Sequence, residues 1–262
     1  MVNSHLVICG TSIIDNYSRT TSSDEDKRIC EDDRELRERS SPANQFFIKV
    51  YDYLKRDPWK ASAELNAMKR YLEKGLVDEV YLYYTDTGRG KFCATILEKY
   101  LRDVYTPRRI ESYKVEGFGI KEFFEDGLVN LLDKLMSKIQ NLITAGHKIY
   151  LNATGGFKPE NAITVIVASL LNINEIYYIH ERFIEPIKLP ILPITINPKY
   201  TKLLKELYED HKLHGFTPKT RIEKNYGSEM VDELKERNLV KEENGKIILR
   251  KWTEIMLKYM KL

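Results

Sequence analysis

Three short polar segments interrupt the apolar runs of this chain, and each holds residue types able to grip an anion. The first is Gly10-Thr11-Ser12, directly after an apolar run; the second is Thr85-Asp86-Thr87-Gly88-Arg89-Gly90. The third is Asn152-Ala153-Thr154-Gly155-Gly156-Phe157-Lys158. Paired glycines let backbone N–H groups converge on an anion, and a helix that follows adds its positive N-terminal end. Lys158 falls at that same end, where the helix dipole alone would favour an acid. A lysine there points to a bound phosphate that supplies the negative charge. The alternative is a glycine-rich turn with an exposed lysine. The pattern is neither a Walker loop, since GxxxxGK[ST] is absent, nor a dinucleotide fingerprint, since Gly10-Thr11-Ser12 lacks the GxGxxG glycines. Asp86 and Thr87 could bind ribose or adenine edges, or could cap their own loop.

The elements that must position these loops read as alternating strands and helices. Strands are expected at 5–9, 79–84, 110–115, 147–151 and 175–179, rich in β-branched and aromatic residues with little polar alternation. Helices are expected at 60–74, stopped by Gly75, at 119–145, ending at Gly146, and at 159–171, with Pro159 in the first turn. Repeated β-α-β units imply a mostly parallel sheet covered on both faces. Ligands of such sheets bind beyond the carboxyl ends of the strands, where all three loops fall. Pro186, Pro190 and Pro193 mark an edge hairpin and an exit from the sheet. Between positions 24 and 39 stand eight acids and five bases, read as a mobile insertion or a solvated helix.

The last 67 residues differ, and a boundary is expected between 1–195 and 196–262. Helices at 198–213, 217–225 and 228–238 precede two short apolar runs joined by Glu243-Asn244-Gly245, a hairpin turn signal. A final helix starts at Lys251, which gives a small winged helix-turn-helix domain. Its candidate recognition helix, 228–238, has four acids against two bases, the reverse of what a helix between phosphate rows needs. The basic excess lies elsewhere, including Lys219, Arg221, Lys224, Arg250 and Lys251. Packing or dimerisation, and not DNA binding, is the expected role of this domain.

Net charge is +3, which gives no global case for binding long nucleic acid but permits a focused basic pocket. Cys9, Cys30 and Cys93 are widely spaced, so neither a disulfide framework nor a zinc site is expected. His211 and His214 have no evident further ligands, so no metal or other cofactor is expected. No apolar stretch approaches the roughly 20 residues of a membrane span, and the apolar start is too short for a signal sequence. The expectation is a soluble cytoplasmic protein without a membrane partner. Tyr105-Thr106-Pro107-Arg108-Arg109 offers either phosphate contacts or a solvated turn.

Strand–Asn-Ala-Thr-Gly-Gly-Phe-Lys–helix resembles the signature loop of CARF proteins, the CRISPR-associated Rossmann fold. Gly-Thr-Ser and Thr-Asp-Thr-Gly occur in the matching places, and the resemblance covers roughly residues 1–195. It implies an α/β Rossmann-like CARF domain that forms a two-fold homodimer and holds a cyclic oligoadenylate, favouring cyclic tetra-adenylate, across the axis. Gly10, Thr11, Asp86, Thr87, Asn152, Thr154, Gly155, Gly156 and Phe157 become the expected ligand-binding residues. None of the five histidines has an arginine five to seven residues before it, so the HEPN ribonuclease signature is missing. The chain is most similar to ring nucleases, which combine a CARF domain with a winged-helix tail and lack a separate nuclease domain. In that family a serine or threonine after the first strand and the lysine of the glycine loop flank the scissile phosphodiester. Those positions are Ser12 and Lys158 here. The resemblance implies metal-independent cleavage to linear di-adenylate with a 2′,3′-cyclic phosphate, which switches off type III CRISPR signalling. The other reading is a CARF transcription regulator that senses the ring without cutting it.

Overall fold

The computed structural model describes residues 1–117, 124–156, 158–179 and 185–260. The chain divides into two compact units, Met1–Pro193 and Ile194–Leu262. The first unit is built on a six-stranded sheet ordered β3-β2-β1-β4-β5-β6. Its strands are β1 (Asn3–Ile8), β2 (Glu79–Thr85), β3 (Arg109–Val115), β4 (Lys148–Asn152), β5 (Glu175–Tyr178) and β6 (Ile187–Leu189). The first five run parallel, and β6 pairs antiparallel with β5 at the edge. This mostly parallel α/β sheet is consistent with a Rossmann-like fold. The chain leaves β1 towards β2 and leaves β4 towards β5, so the order reverses between β1 and β4, the place where such sheets hold ligands.

Side chains alternate along each strand, which explains the apolar runs without polar alternation. Val7, Cys9, Val80 and Leu82 join one buried cluster with residues of α1 (Ser12–Thr20), α4 (Gln45–Arg56), α6 (Ala63–Glu73) and α7 (Gly88–Val104). By the same alternation Tyr81 and Tyr83 face the other side. There Tyr81, Tyr83 and Tyr113 stack, and Lys138 of α8 (Phe124–Thr144) lies 4.3 Å from the Tyr81 ring centre. His5 is fully buried, stacked on Tyr150, and its Nε2 donates to the Leu76 carbonyl. Burial lowers its pKa to about 4, so it is a neutral core residue at physiological pH.

Two elements depart from the sequence reading. The expected helix at 60–74 is two helices, α5 (Pro58–Ala61) and α6, with the chain breaking at Ser62. The Ser62 hydroxyl accepts from the Leu65 N–H as the N-cap of α6, a local bond that competes with helix continuation. The charged stretch is an ordered pair of helices, α2 (Asp24–Glu31) and α3 (Asp33–Glu38). Most of their charge lies on the outer faces, while Ile29, Cys30 and Leu36 are each at most 3% exposed within the core and the buried Asp26 pairs with Tyr17 and Lys49. Asp33 of α3 bonds the first two N–H groups of α7, at Gly88 (2.8 Å) and Arg89 (3.0 Å). The expected start of the helix at 119–145 lies outside the described residues, as does His180.

The second unit holds α10 (Pro198–His214), β7 (Thr217–Pro218), α11 (Lys219–Tyr226), α12 (Ser228–Glu236), β8 (Val240–Glu243), β9 (Lys246–Leu249) and α13 (Lys251–Met260). Its strands form a separate antiparallel sheet ordered β7-β9-β8. Asn244 and Gly245, with φ of 50° and 72°, turn β8 into β9, the left-handed pair that the hairpin signal requires. Leu203, Leu207, Ile222, Leu234, Ile247 and Leu257 make up much of its own core.

Candidate functional site

A cleft of about 680 Å³ opens where the sheet order reverses. Gly10, Thr11 and Ser12 enter it from the end of β1, and Thr154, Gly155 and Gly156 from the end of β4. Two of the three polar loops therefore meet at one place. They meet because β1 and β4 are paired neighbours, with Val7 opposite Asn152.

The approach of the two loops is what requires the glycines. A Cβ on Gly155 would stand 2.3 Å from the Gly10 nitrogen and 2.3 Å from the Ile8 carbonyl oxygen. Gly155 is thus a glycine for space. Gly156 has a positive φ of 83°, and a Cβ there would lie 2.4 Å from the Glu160 carboxylate. Both conformation and space select glycine at that position.

Beneath the loops lies a residue that the sequence reading did not single out. Glu64, in the first turn of α6, is 1% exposed, and its carboxylate holds the site together. Its Oε1 accepts from the Gly10 N–H at 2.8 Å. Its Oε2 accepts from the hydroxyls of Ser12 at 3.0 Å and Ser62 at 2.8 Å. Three donors replace the water that a buried carboxylate loses. The Glu64 carbonyl in turn accepts from the Asn152 side-chain amide at 3.0 Å. The only signal in the sequence was an acid two residues after a helix-capping serine, a common pattern with no chemistry of its own.

This arrangement fixes the role open to Ser12. Its hydroxyl donates to Glu64 and accepts from the Ala63 N–H at 3.1 Å. The proton is committed, while an oxygen lone pair remains for a donor arriving from the cleft. Thr11 also faces the cleft, and its hydroxyl donates to Asp15 at 2.8 Å. Thr154 lines the cleft and accepts from the Ile179 N–H. Lys158 begins α9 (Lys158–Leu170), is exposed, and has no hydrogen bond or ion pair among the described residues. Phe157 lies outside the described residues.

Four expected site residues are not among those lining this cleft: Lys158, which stands beyond the glycine loop at the start of α9, and Asn152, Asp86 and Thr87. Asn152 is fully buried beneath the loop, its Oδ1 accepting from the Thr154 N–H and its amide bonding Glu64. The Thr87 hydroxyl caps α7 by accepting from the Gly90 N–H, and Asp86 accepts from the Gly117 N–H. Arg37 of α3 also reaches the Asp86 carbonyl, so α3 covers this loop from outside. Of the two uses open to Asp86 and Thr87, loop capping is the one these bonds make. Trp59, Lys60, Arg19 and Tyr178 also line the cleft, supplying aromatic surface and positive charge.

The sequence of this region matches a known family. The model of that family, described as CRISPR-associated protein (Cas_APE2256), covers residues 59–192, from α5 through β6. The chain belongs to the Cas_APE2256 family of CRISPR-associated proteins. The matched span takes in Glu64, the Thr85–Gly90 loop and the glycine loop. Among solved structures, a similar one is Can2 from Sulfobacillus thermosulfidooxidans in complex with cyclic tetra-adenylate (cA4). The two share 12% identity with a TM-score of 0.32, over 96% of this chain and 62% of the Can2 chain. This chain thus spans less than two thirds of Can2, and its fold rests on its own strand order.

Proposed function

We propose that this family member binds cyclic tetra-adenylate in the cleft and cleaves it without metal, as a ring nuclease of type III CRISPR signalling in the cytoplasm. One observation carries the reading: two anion-gripping loops converge at the reversal of the sheet beside a committed Ser12 hydroxyl. The reaction consumes no water. A ribose 2′-oxygen attacks its own 3′-phosphorus in line, the P–O5′ bond breaks, and the 5′-oxygen departs with a proton. Two such cuts convert the ring to two linear di-adenylates ending in 2′,3′-cyclic phosphates.

Catalysis of this kind rests on geometry and charge. Ser12, oriented by Glu64 and the Ala63 N–H, accepts from the 2′-hydroxyl and turns it toward its phosphorus. Lys158, without an internal carboxylate partner among the described residues, stabilises charge on the phosphorane and the leaving oxygen. Among the described residues that line the cleft there is no histidine to act as a general base, which accords with slow turnover.

We read the second unit as a winged helix-turn-helix that packs or dimerises. Several of its cations are spent internally: Lys219 and Lys235 both pair with Glu242, at 3.0 and 2.8 Å, and Arg221 pairs with Asp210. Phosphate rows would have to compete with those carboxylates.

A symmetric ring calls for a two-fold dimer whose Gly10–Ser12 and Asn152–Lys158 loops face the axis. Calorimetric titration combined with light scattering should give one cyclic tetra-adenylate per two chains, bound to a dimer. A monomer, or a ring bound to every chain, would contradict the arrangement.

A further inference from the structure

Asp15 sets an unexpected feature into a cleft read as a phosphate site: a second carboxylate, beside that of Glu64, among its lining residues. Its two oxygens are both engaged. One accepts from the Thr11 hydroxyl at 2.8 Å, and the other holds Nη2 of Arg89 at 2.5 Å. Thr11 lies between Gly10 and Ser12 on the cleft wall. Arg89 is the second residue of α7, and its backbone is pinned because its N–H donates to Asp33.

The guanidinium of Arg89 is only half used. The Nε–Nη2 edge of an arginine presents two parallel donors, the geometry that grips a phosphate with two hydrogen bonds. Here Nη2 bonds Asp15, whereas Nε is buried and has no partner among the described residues. A buried donor left unpaired is costly. The ion pair itself is easily exchanged, since the two side chains are 35% and 36% exposed.

We propose that Arg89 is a phosphate-binding residue of this cleft and that Asp15 competes with the ligand for it. Resting on the ring-binding function proposed above, the assignment adds a residue outside the two glycine loops. An arriving phosphate takes both donors of the Arg89 fork and leaves Asp15 with the Thr11 hydroxyl alone. Asp15 then faces the ligand as a like charge, so it weakens binding and favours release. The pinned α7 N-terminus means that only the side chain of Arg89 has to move.

The test is a double-variant cycle read by equilibrium binding of cyclic tetra-adenylate, with thermal melting to confirm folding. Asp15→Asn keeps the side-chain shape and one acceptor oxygen but removes the charge, and should tighten binding by about tenfold. Arg89→Ala should weaken it in the wild-type background. The decisive comparison is Asp15→Asn with and without Arg89→Ala. If Arg89 grips the ligand, the double variant binds at least about tenfold more weakly than Asp15→Asn. If Arg89 merely neutralises Asp15, the two bind alike, and the proposal is overturned. Should the double variant fail to fold, Asp15→Asn/Arg89→Lys serves instead: it keeps the charge and loses the fork, and equal binding again overturns the assignment. Wild-type protein that binds no ring removes the ring-binding function as well, whereas binding unaffected by the cycle removes the Arg89 assignment alone.

Discussion

Lys158→Ala should slow a single turnover of cyclic tetra-adenylate about a hundredfold, beyond whatever affinity it loses. A transition-state contact of ~3 kcal/mol corresponds to that factor in rate. The residue stands exposed at the first position of α9, with no hydrogen bond or ion pair among the described residues. Its charge is therefore available to a phosphate, and its removal leaves no internal carboxylate stranded. Rapid mixing of excess enzyme with the ring separates the chemical step from binding. Ser12→Ala should slow cutting less, because a neutral hydroxyl contributes less than a charge-assisted contact. A Lys158→Ala protein that binds weakly but cuts at the wild-type rate would make Lys158 a binding residue only.

Gly155→Ala should abolish detectable ring binding and lower the melting temperature by several degrees. The added methyl would stand 2.3 Å from both the Gly10 nitrogen and the Ile8 oxygen, and both are backbone atoms that cannot rotate away. The loops must separate, which breaks the Gly10–Glu64 bond and widens the anion grip. Overpacking of this kind costs about 1–3 kcal/mol, and a shift of several degrees follows for a domain of this size. Gly146→Ala is the matched control. Gly146 has φ of 72° but nothing within 4 Å of a built Cβ, so the substitution strains the backbone far from the cleft. It should lower stability by about 1 kcal/mol and leave affinity unchanged. Equal loss of affinity in both variants would mean that stability, and not loop approach, governs binding.

The parallel sheet and the polar loops at its strand ends were legible in the sequence because they depend on local features. Runs such as Val80–Tyr84 announce strands buried on both faces, and Gly10 and Gly155-Gly156 mark where backbones approach. Distant pairings were not legible. Glu64 is an ordinary helical acid until β1 and β4 bring Gly10 and Asn152 against it. The stretch 24–39 has the composition of a solvated segment, yet Ile29, Cys30 and Leu36 are enough to bury one face of α2 and α3. Asp33 then reaches the N-terminus of α7, fifty-five residues away in sequence, and α3 closes over a loop whose polar residues looked free. Asn152 illustrates the same limit: a polar residue in a signature loop reads as a ligand contact, whereas its amide is spent on the backbone beneath.

The central claim is that this cleft cuts the ring it binds. Wild-type protein incubated with cyclic tetra-adenylate in EDTA, with the products resolved by chromatography and mass spectrometry, tests it most directly. The account predicts slow, complete conversion to linear di-adenylate bearing a 2′,3′-cyclic phosphate. Tight binding with the ring returned intact after many hours, at the temperature of greatest activity or stability, would contradict it and leave a sensor without catalysis.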